Sequence, residues 1–237
     1  MIQKIVEAGP LVQLVLYTNV QVRETDSLEA RRQKGRVKSA ACNYIKSRRR
    51  RLEALILSNF DSHDWYVTLT FDDQHLPAKR EDMVKFWGKF LRRLRKAGCR
   101  DVKYIRVLEH KHGAARWHIH AVLKNTPPSK IKKCFWEGKI EISRLEPERV
   151  VPHRTSSGLA SYFAKEAPDK VGLRGYSASK GLAKPTITRR YVSNDYQLAV
   201  PSGCRPVSGL LLAVNAFGTS SYLSYWKNER GERGVRA

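Results

Sequence analysis

The feature that most constrains the fold is a short stretch, residues 117–123, in which two histidines alternate with apolar residues. Successive side chains of a β-strand point to opposite faces, so a strand here places His118 and His120 on one face and Ile119 on the other. The pattern predicts a strand that presents paired imidazoles on the surface of a sheet. Paired imidazoles of this kind indicate a metal site.

The segment just upstream, residues 103–109, also has the composition of a strand, and a short polar stretch containing Gly113 separates the two. A hairpin centred there places Glu109 opposite His118, with Cβ atoms about 5 Å apart. One carboxylate and two neutral imidazoles can then gather one divalent cation and leave coordination positions for a substrate oxygen. The alternative is an ordinary amphipathic hairpin with locally bonded histidines, and a register slip of one residue would turn Glu109 away.

The net charge indicates the class of partner. The chain has 237 residues with 45 Lys and Arg against 22 Asp and Glu, a formal charge of +23. Such a charge favours a polyanion, and basic segments contact phosphates without reading sequence. Ribosomal or membrane-surface attachment would give a similar composition. The predicted DNA contacts lie in two basic runs and one loop: Arg31, Arg32, Lys34, Arg36, Arg48, Arg49, Arg50, Arg51, Lys180 and Lys184.

The cysteines and the apolar runs limit the cellular setting. The four cysteines are far apart and form no Cys-x-x-Cys pair, so neither a zinc knuckle nor a disulfide framework is indicated. No apolar run is long enough to span a bilayer, and the N-terminus does not have the pattern of a signal peptide. We therefore expect a soluble protein of a reducing cytoplasm, with no membrane partner.

The order of strands and helices predicts an α+β fold, with helices packed on an antiparallel sheet. Along the chain we expect a basic helix from Ser27 to about 57, a strand at 65–71, a helix at 80–96, the hairpin, a helix near 129–137, a strand near 139–145 and a helix around 157–166. We divide the chain into a basic, partly helical N-terminal extension (1–60), a central domain (61–190) and a C-terminal extension (191–237).

The last predicted helix carries a candidate nucleophile. Tyr162, Lys165 and Glu166 are three and four residues apart, so they share one helix face. A phenol is a poor nucleophile at neutral pH, but a cation bound to the phosphate and the Lys165 ammonium would assist its attack. Alone, this string is more typical of a half-buried helix tyrosine beside a surface lysine.

In combination the motifs resemble those of the HUH endonuclease superfamily, in particular the single-tyrosine rolling-circle replication initiators of phages, plasmids and integrative elements. Residues 67–71 (Val-Thr-Leu-Thr-Phe) resemble the first motif, residues 117–120 the second, and residues 162–165 the third. Residues 176–185 also look like a stretch that follows the tyrosine helix in phage-type members. The resemblance covers about residues 65–185.

The resemblance implies a nicking and joining domain with a central antiparallel sheet of about five strands. It implies that His118, His120 and Glu109 hold Mg²⁺ or Mn²⁺, with Glu166 as a further contact, and that Tyr162 attacks the phosphorus with help from Lys165. The products would be a 5′-phosphotyrosine and a free 3′ hydroxyl for rolling-circle synthesis. The implied partners are single-stranded or origin DNA and the polymerase and helicase of a bacterial host, in whose cytoplasm the protein would act.

Three alternatives remain open at this point. A transposase or a mobilisation relaxase would use the same chemistry on another DNA structure. A non-catalytic nucleic-acid-binding module would bind in a salt-dependent way and form no covalent adduct. A histidine-triad hydrolase would want a third imidazole at position 122, where this chain has Val122.

Overall fold

The computed structural model describes residues 1–17, 39–110, 116–151, 158–165, 175–215 and 218–228. The fold is α+β, as predicted. The strands are β1 (Ile2–Ala8), β2 (Leu11–Tyr17), β3 (Trp65–Phe71), β4 (Lys103–His110), β5 (Trp117–Lys124), β6 (Gly138–Arg144), β7 (Tyr176–Ala178), β8 (Thr186–Tyr191), β9 (Arg205–Asn215) and β10 (Gly218–Trp226). The helices in the described part are α1 (Ser39–Leu57), α2 (Arg80–Lys96), α3 (Pro128–Cys134), α4 (Pro147–Val150) and α5 (Leu159–Lys165).

The chain divides into two compact units. Unit 1 consists of Met1–Ser58, His153–Ser156 and Ala183–Ala237, and unit 2 consists of Asn59–Pro152 and Ser157–Leu182. Each unit has its own five-stranded antiparallel sheet. Segments that the sequence analysis treated as N-terminal and C-terminal extensions therefore contribute strands to one sheet.

The sheet of unit 2 has the strand order β6-β3-β5-β4-β7 and is covered on one face by α2. The periodic apolar residues of α2 form its buried stripe, with Met83, Trp87, Phe90 and Leu94 almost fully inaccessible. They pack on the odd-numbered side chains of β3 and β5, such as Ile119. The prediction that this aromatic stripe faces a core is confirmed.

The register of the β4–β5 hairpin is the one predicted. Glu109 pairs with His118, and Val107 pairs with His120. On the other side of β5, Thr70 pairs with His118 in the β3–β5 ladder. Because directly paired residues share a face, the carboxylate, both imidazoles and the polar residues of β3 lie on the sheet face away from α2.

Unit 1 is a sheet that the sequence analysis did not predict. Its order is β8-β1-β2-β10-β9, so the first two strands of the chain pair with strands more than 160 residues later. The helix α1 contacts this sheet through Glu53, which is buried and accepts a hydrogen bond from Gln13 at 2.9 Å. The part of the predicted basic helix before residue 39 lies outside the described residues.

No helix in the described part of the chain combines the length and the apolar character needed to cross a membrane.

Gly138 fixes the junction between β3 and β6. Its φ is +150°, and an added Cβ would lie 2.2 Å from the carbonyl oxygen of Thr70 and 2.6 Å from the amide nitrogen of Asp72. Both neighbours are backbone atoms, so they cannot move aside as a flexible side chain would. Only glycine fits at the start of this edge strand.

We predict that Gly138→Ala lowers the free energy of unfolding by about 2 kcal/mol or more, because it combines backbone strain with a backbone clash. Urea denaturation followed by circular dichroism measures the change. The matched control is Gly98→Ala, since Gly98 also has a positive φ, +97°, but nothing lies within 4 Å of an added Cβ. Equal losses in the two variants would contradict the close approach at Gly138.

Candidate functional site

The candidate site is a cluster of hydrogen-bonded side chains on the sheet face away from α2. Nε2 of His120 lies 2.7 Å from Oε2 of Glu109, and both side chains are buried. The phenol of Tyr162 donates to the same carboxylate oxygen, and its Oη lies 3.0 Å from Nε2 of His120. A carboxylate, an imidazole and a phenol from three separate elements thus meet at one point.

The helix α5 brings Tyr162 to the sheet. Ala160, Phe163 and Ala164 are fully buried, so these apolar residues hold the helix in place, while Tyr162 is only half-buried. The ring of Tyr162 meets the ring of His120 edge to face, with centroids 4.9 Å apart. The phenol therefore points towards the paired histidines and not away from the sheet.

Hydroxyl groups of β3 contact the other nitrogen of each histidine. Oγ1 of Thr70 lies 3.0 Å from Nδ1 of His118, while Oη of Tyr66 and Oγ1 of Thr68 lie 2.9 and 3.2 Å from Nδ1 of His120. Burial raises the pKa of Tyr66, so its hydroxyl stays protonated at neutral pH. These contacts orient both rings so that Nε2 is the nitrogen left for the site.

The sequence analysis gave Tyr66, Thr68 and Thr70 no role in the site. They recur every second residue in β3, and that alternation is the signal that places three hydroxyls on one face. Glu141 of β6 pairs with Thr68 and so joins the same face at the edge of the sheet. The hydrogen bond from Lys139 is the main cause of its lowered pKa, and the two histidines contribute less.

The donor chemistry of the site suits a divalent cation. A metal-binding imidazole needs a lone pair on one nitrogen and a partner on the other. Because a hydroxyl both donates and accepts, Tyr66 and Thr68 can partner Nδ1 of His120 in either tautomer and leave Nε2 with or without its proton. The residues that would hold the ion are His118, His120 and Glu109.

The side chains are not already arranged around an ion. Within the described ranges, no group of three or more His, Cys, Asp or Glu side chains is positioned to hold a metal. Glu109 and His120 are instead in direct contact. The metal ligands and the choice of Mg²⁺ or Mn²⁺ stay predictions.

Two other predicted site residues are only partly visible. Lys165 is the last residue of α5, and its side chain lies outside the described part of the structure, as does the whole of Glu166. Their roles stay predictions.

The predicted DNA contacts divide into three groups. Arg31, Arg32, Lys34 and Arg36 lie outside the described residues. Lys180 and Lys184 are exposed. The third group is the arginine run of α1.

The arginine run of α1 is largely used within unit 1. Arg48 is buried, Nε of Arg49 lies 3.1 Å from Oε1 of Glu53, and the Arg50 guanidinium lies 3.4 Å from the ring centre of Tyr222. Burial is the main cause of the lowered pKa of Arg50. Arg51 is exposed.

Comparison with known proteins gives one match. Residues 64–169 match the family model described as the replication-associated protein of the ORF2 and gene II protein type. The matched segment contains β3, the β4–β5 hairpin and Tyr162, and so includes every residue of the hydrogen-bonded cluster. No curated protein and no solved structure matches the chain. The family match supports a replication initiator family and, with it, an interaction with DNA.

We predict that the two hydroxyls on Nδ1 of His120 back each other up. Tyr66→Phe and Thr68→Val should each cost about 1 kcal/mol or less, because the remaining hydroxyl still partners the nitrogen. The double variant should lose about 1–3 kcal/mol more than the sum, since Nδ1 is then buried without a partner. Urea unfolding of all four proteins measures this coupling, and Tyr191→Phe, at an exposed tyrosine, is the control. Additive losses would show that the hydroxyls act independently.

Proposed function

We propose that this chain is a replication initiator that nicks one DNA strand at an origin and joins itself to the 5′ phosphate through Tyr162. The observation that carries the proposal is the meeting of Tyr162, Glu109 and His120 at one point of the sheet. The family match supports initiation in general terms. The nicking chemistry rests on the geometry and on the motifs.

The site offers the phenol an acceptor for its proton. Tyr162 donates to Oε2 of Glu109, and Nε2 of His120 is also within hydrogen-bond distance. Proton transfer to this pair would leave a phenolate, which is a far better nucleophile than a phenol. A buried acceptor held by a second group keeps this geometry without reorganisation.

The proposed step exchanges one phosphate ester for another. Oη of Tyr162 bonds to phosphorus as the bond from phosphorus to the 3′ oxygen breaks, and the leaving oxygen takes up a proton to become a 3′ hydroxyl. His118, His120 and Glu109 would hold a divalent cation, which would supply charge neutralisation at the phosphate. The free 3′ hydroxyl would then serve as the primer for strand synthesis, and the energy of the broken ester would be conserved in the phosphotyrosine.

We predict that Tyr162→Phe abolishes formation of a covalent adduct with single-stranded origin DNA, because it removes the attacking oxygen. Incubation with Mn²⁺ and the DNA of the chain's own element, followed by denaturing electrophoresis, should show a slower-migrating species with the unchanged protein only. Filter binding should show that the variant keeps its DNA affinity. Tyr191→Phe, which alters an exposed tyrosine of unit 1, should still form the adduct. Undiminished cleavage by Tyr162→Phe would remove this residue from its role.

We predict that Mn²⁺ binding depends on the three ligand residues. Glu109→Gln and His118→Ala should each weaken binding at least about tenfold, measured by isothermal titration calorimetry. Protons compete for the imidazoles, so affinity should fall as the pH drops through about 6.5. His63→Ala is the matched control, because His63 is an exposed histidine paired with Asp61. Equal affinity in all variants would leave the cation without a place in the site.

A further inference from the structure

We propose that unit 2 binds single-stranded DNA on a second surface, which we call the Trp136 surface, formed by Trp136, Arg93 and the exposed lysines Lys89, Lys96, Lys132 and Lys133. A base stacks on the indole of Trp136, and the lysines contact phosphates. The surface takes its ligand class from its own chemistry. It rests on the proposed function only for the identity of the strand as the DNA that is nicked.

Trp136 is a large aromatic side chain held outside the core. It is 59% exposed, although the neighbouring Phe135 is buried. The Arg93 guanidinium lies 3.6 Å from the centre of its ring. Arg93 in turn donates to Oε1 of Glu137 at 2.5 Å and to the carbonyl of Cys134 at 3.2 Å.

The hydrogen bonds make this aromatic group rigid. The backbone amide of Trp136 also donates to Glu137, at 3.1 Å, so one carboxylate fixes both the tryptophan and the arginine that stacks on it. A side chain that is ordered before binding loses little conformational entropy when a ligand arrives. Exposing an indole in this way costs hydrophobic free energy, so a ring that is both rigid and exposed indicates a ligand for its free surface.

The charges around Trp136 favour a polyanion. Lys89 and Lys96 are four residues before and three residues after Arg93, so they flank it on α2, and both are exposed. Lys132 and Lys133 of α3 are exposed directly before Cys134. The carboxylate of Glu137 is buried and already bonded to Arg93, so it does not offset these cations at the surface.

Stacking together with phosphate contact distinguishes a single strand from other polyanions. Unpaired bases offer a flat face to an aromatic ring, whereas the bases of a duplex are already stacked on each other. An acidic protein segment would satisfy the lysines but would not need the indole. The combination therefore fits a single strand, bound with little sequence preference.

The Trp136 surface is separate from the site of strand cleavage. The helix α2 packs on the sheet face opposite to His118 and His120. Trp136 lies two residues before β6, an edge strand whose Lys139 pairs with Thr70 and so reaches the histidine face. The edge of the sheet at β6 thus leads from one face to the other, and the Trp136 surface holds nucleotides that flank the scissile phosphate.

The test is equilibrium binding of the full chain to a fluorescein-labelled oligothymidine, measured by anisotropy. Trp136→Ala should weaken binding about 5- to 100-fold, because one stacked base is lost. Trp136→Phe should retain most of the affinity, since it keeps an aromatic face. Tyr191→Ala is the matched control: it removes an aromatic group that is 81% exposed, in unit 1, and should leave the affinity unchanged.

Two further readouts separate stacking from a structural effect. Oligothymidine should quench the intrinsic tryptophan fluorescence of the unchanged protein, and Trp136→Phe should lose that quenching while still binding. Combined substitution of Lys132 and Lys133 by alanine should reduce the slope of log affinity against log salt by about 1.4, or about 0.7 for each phosphate contact.

Unchanged affinity in Trp136→Ala, an equal loss in Tyr191→Ala or stronger binding of a duplex of the same length would each overturn the proposal. Its failure is distinguishable from failure of the proposed function. If no adduct forms but Trp136→Ala still weakens binding, the nicking chemistry is wrong and the surface stands. If the adduct forms and Trp136 has no effect on binding, the reverse holds.

Discussion

The structure of unit 2 depends on the alternation of side chains in its three central strands. One set of positions carries apolar residues that pack on α2, and the other carries hydroxyl, imidazole and carboxylate groups. The hydrophobic face fixes the register, because a slip of one residue would expose the core and bury the polar set. Burial of residues such as Ile119 on one face is therefore what aligns Glu109 with His118 on the other.

Much of this arrangement could be predicted from sequence because it is local. The β4–β5 hairpin joins two alternating strands through a short connection, so its register follows from counting residues. The amphipathic period of α2 was equally clear and gave its bounds. The position of Tyr162 was less constrained, since α5 is far along the chain and only its contacts with the sheet bring the phenol to His120.

The rest could not be predicted because it depends on pairings between distant segments. β1 and β2 pair with strands near the other end of the chain, and no pattern in either segment names its partner. β8 is almost entirely exposed, so it has no buried face to produce a hydrophobic signal. The direct contact between Glu109 and His120 also lies beyond sequence reasoning, because opposed residues in a ladder do not specify which side-chain atoms meet.

The order of the strands of unit 1 along the chain has a consequence for synthesis on the ribosome. β1 and β2 are made first, but β10, which forms the other side of the β2 ladder, is made last. The early hairpin must therefore wait, with the edge of β2 unpaired, while nearly all of unit 2 emerges and folds. Contacts of such long sequence separation form slowly, so completion of this sheet sets the time at which the newly made chain reaches its final form.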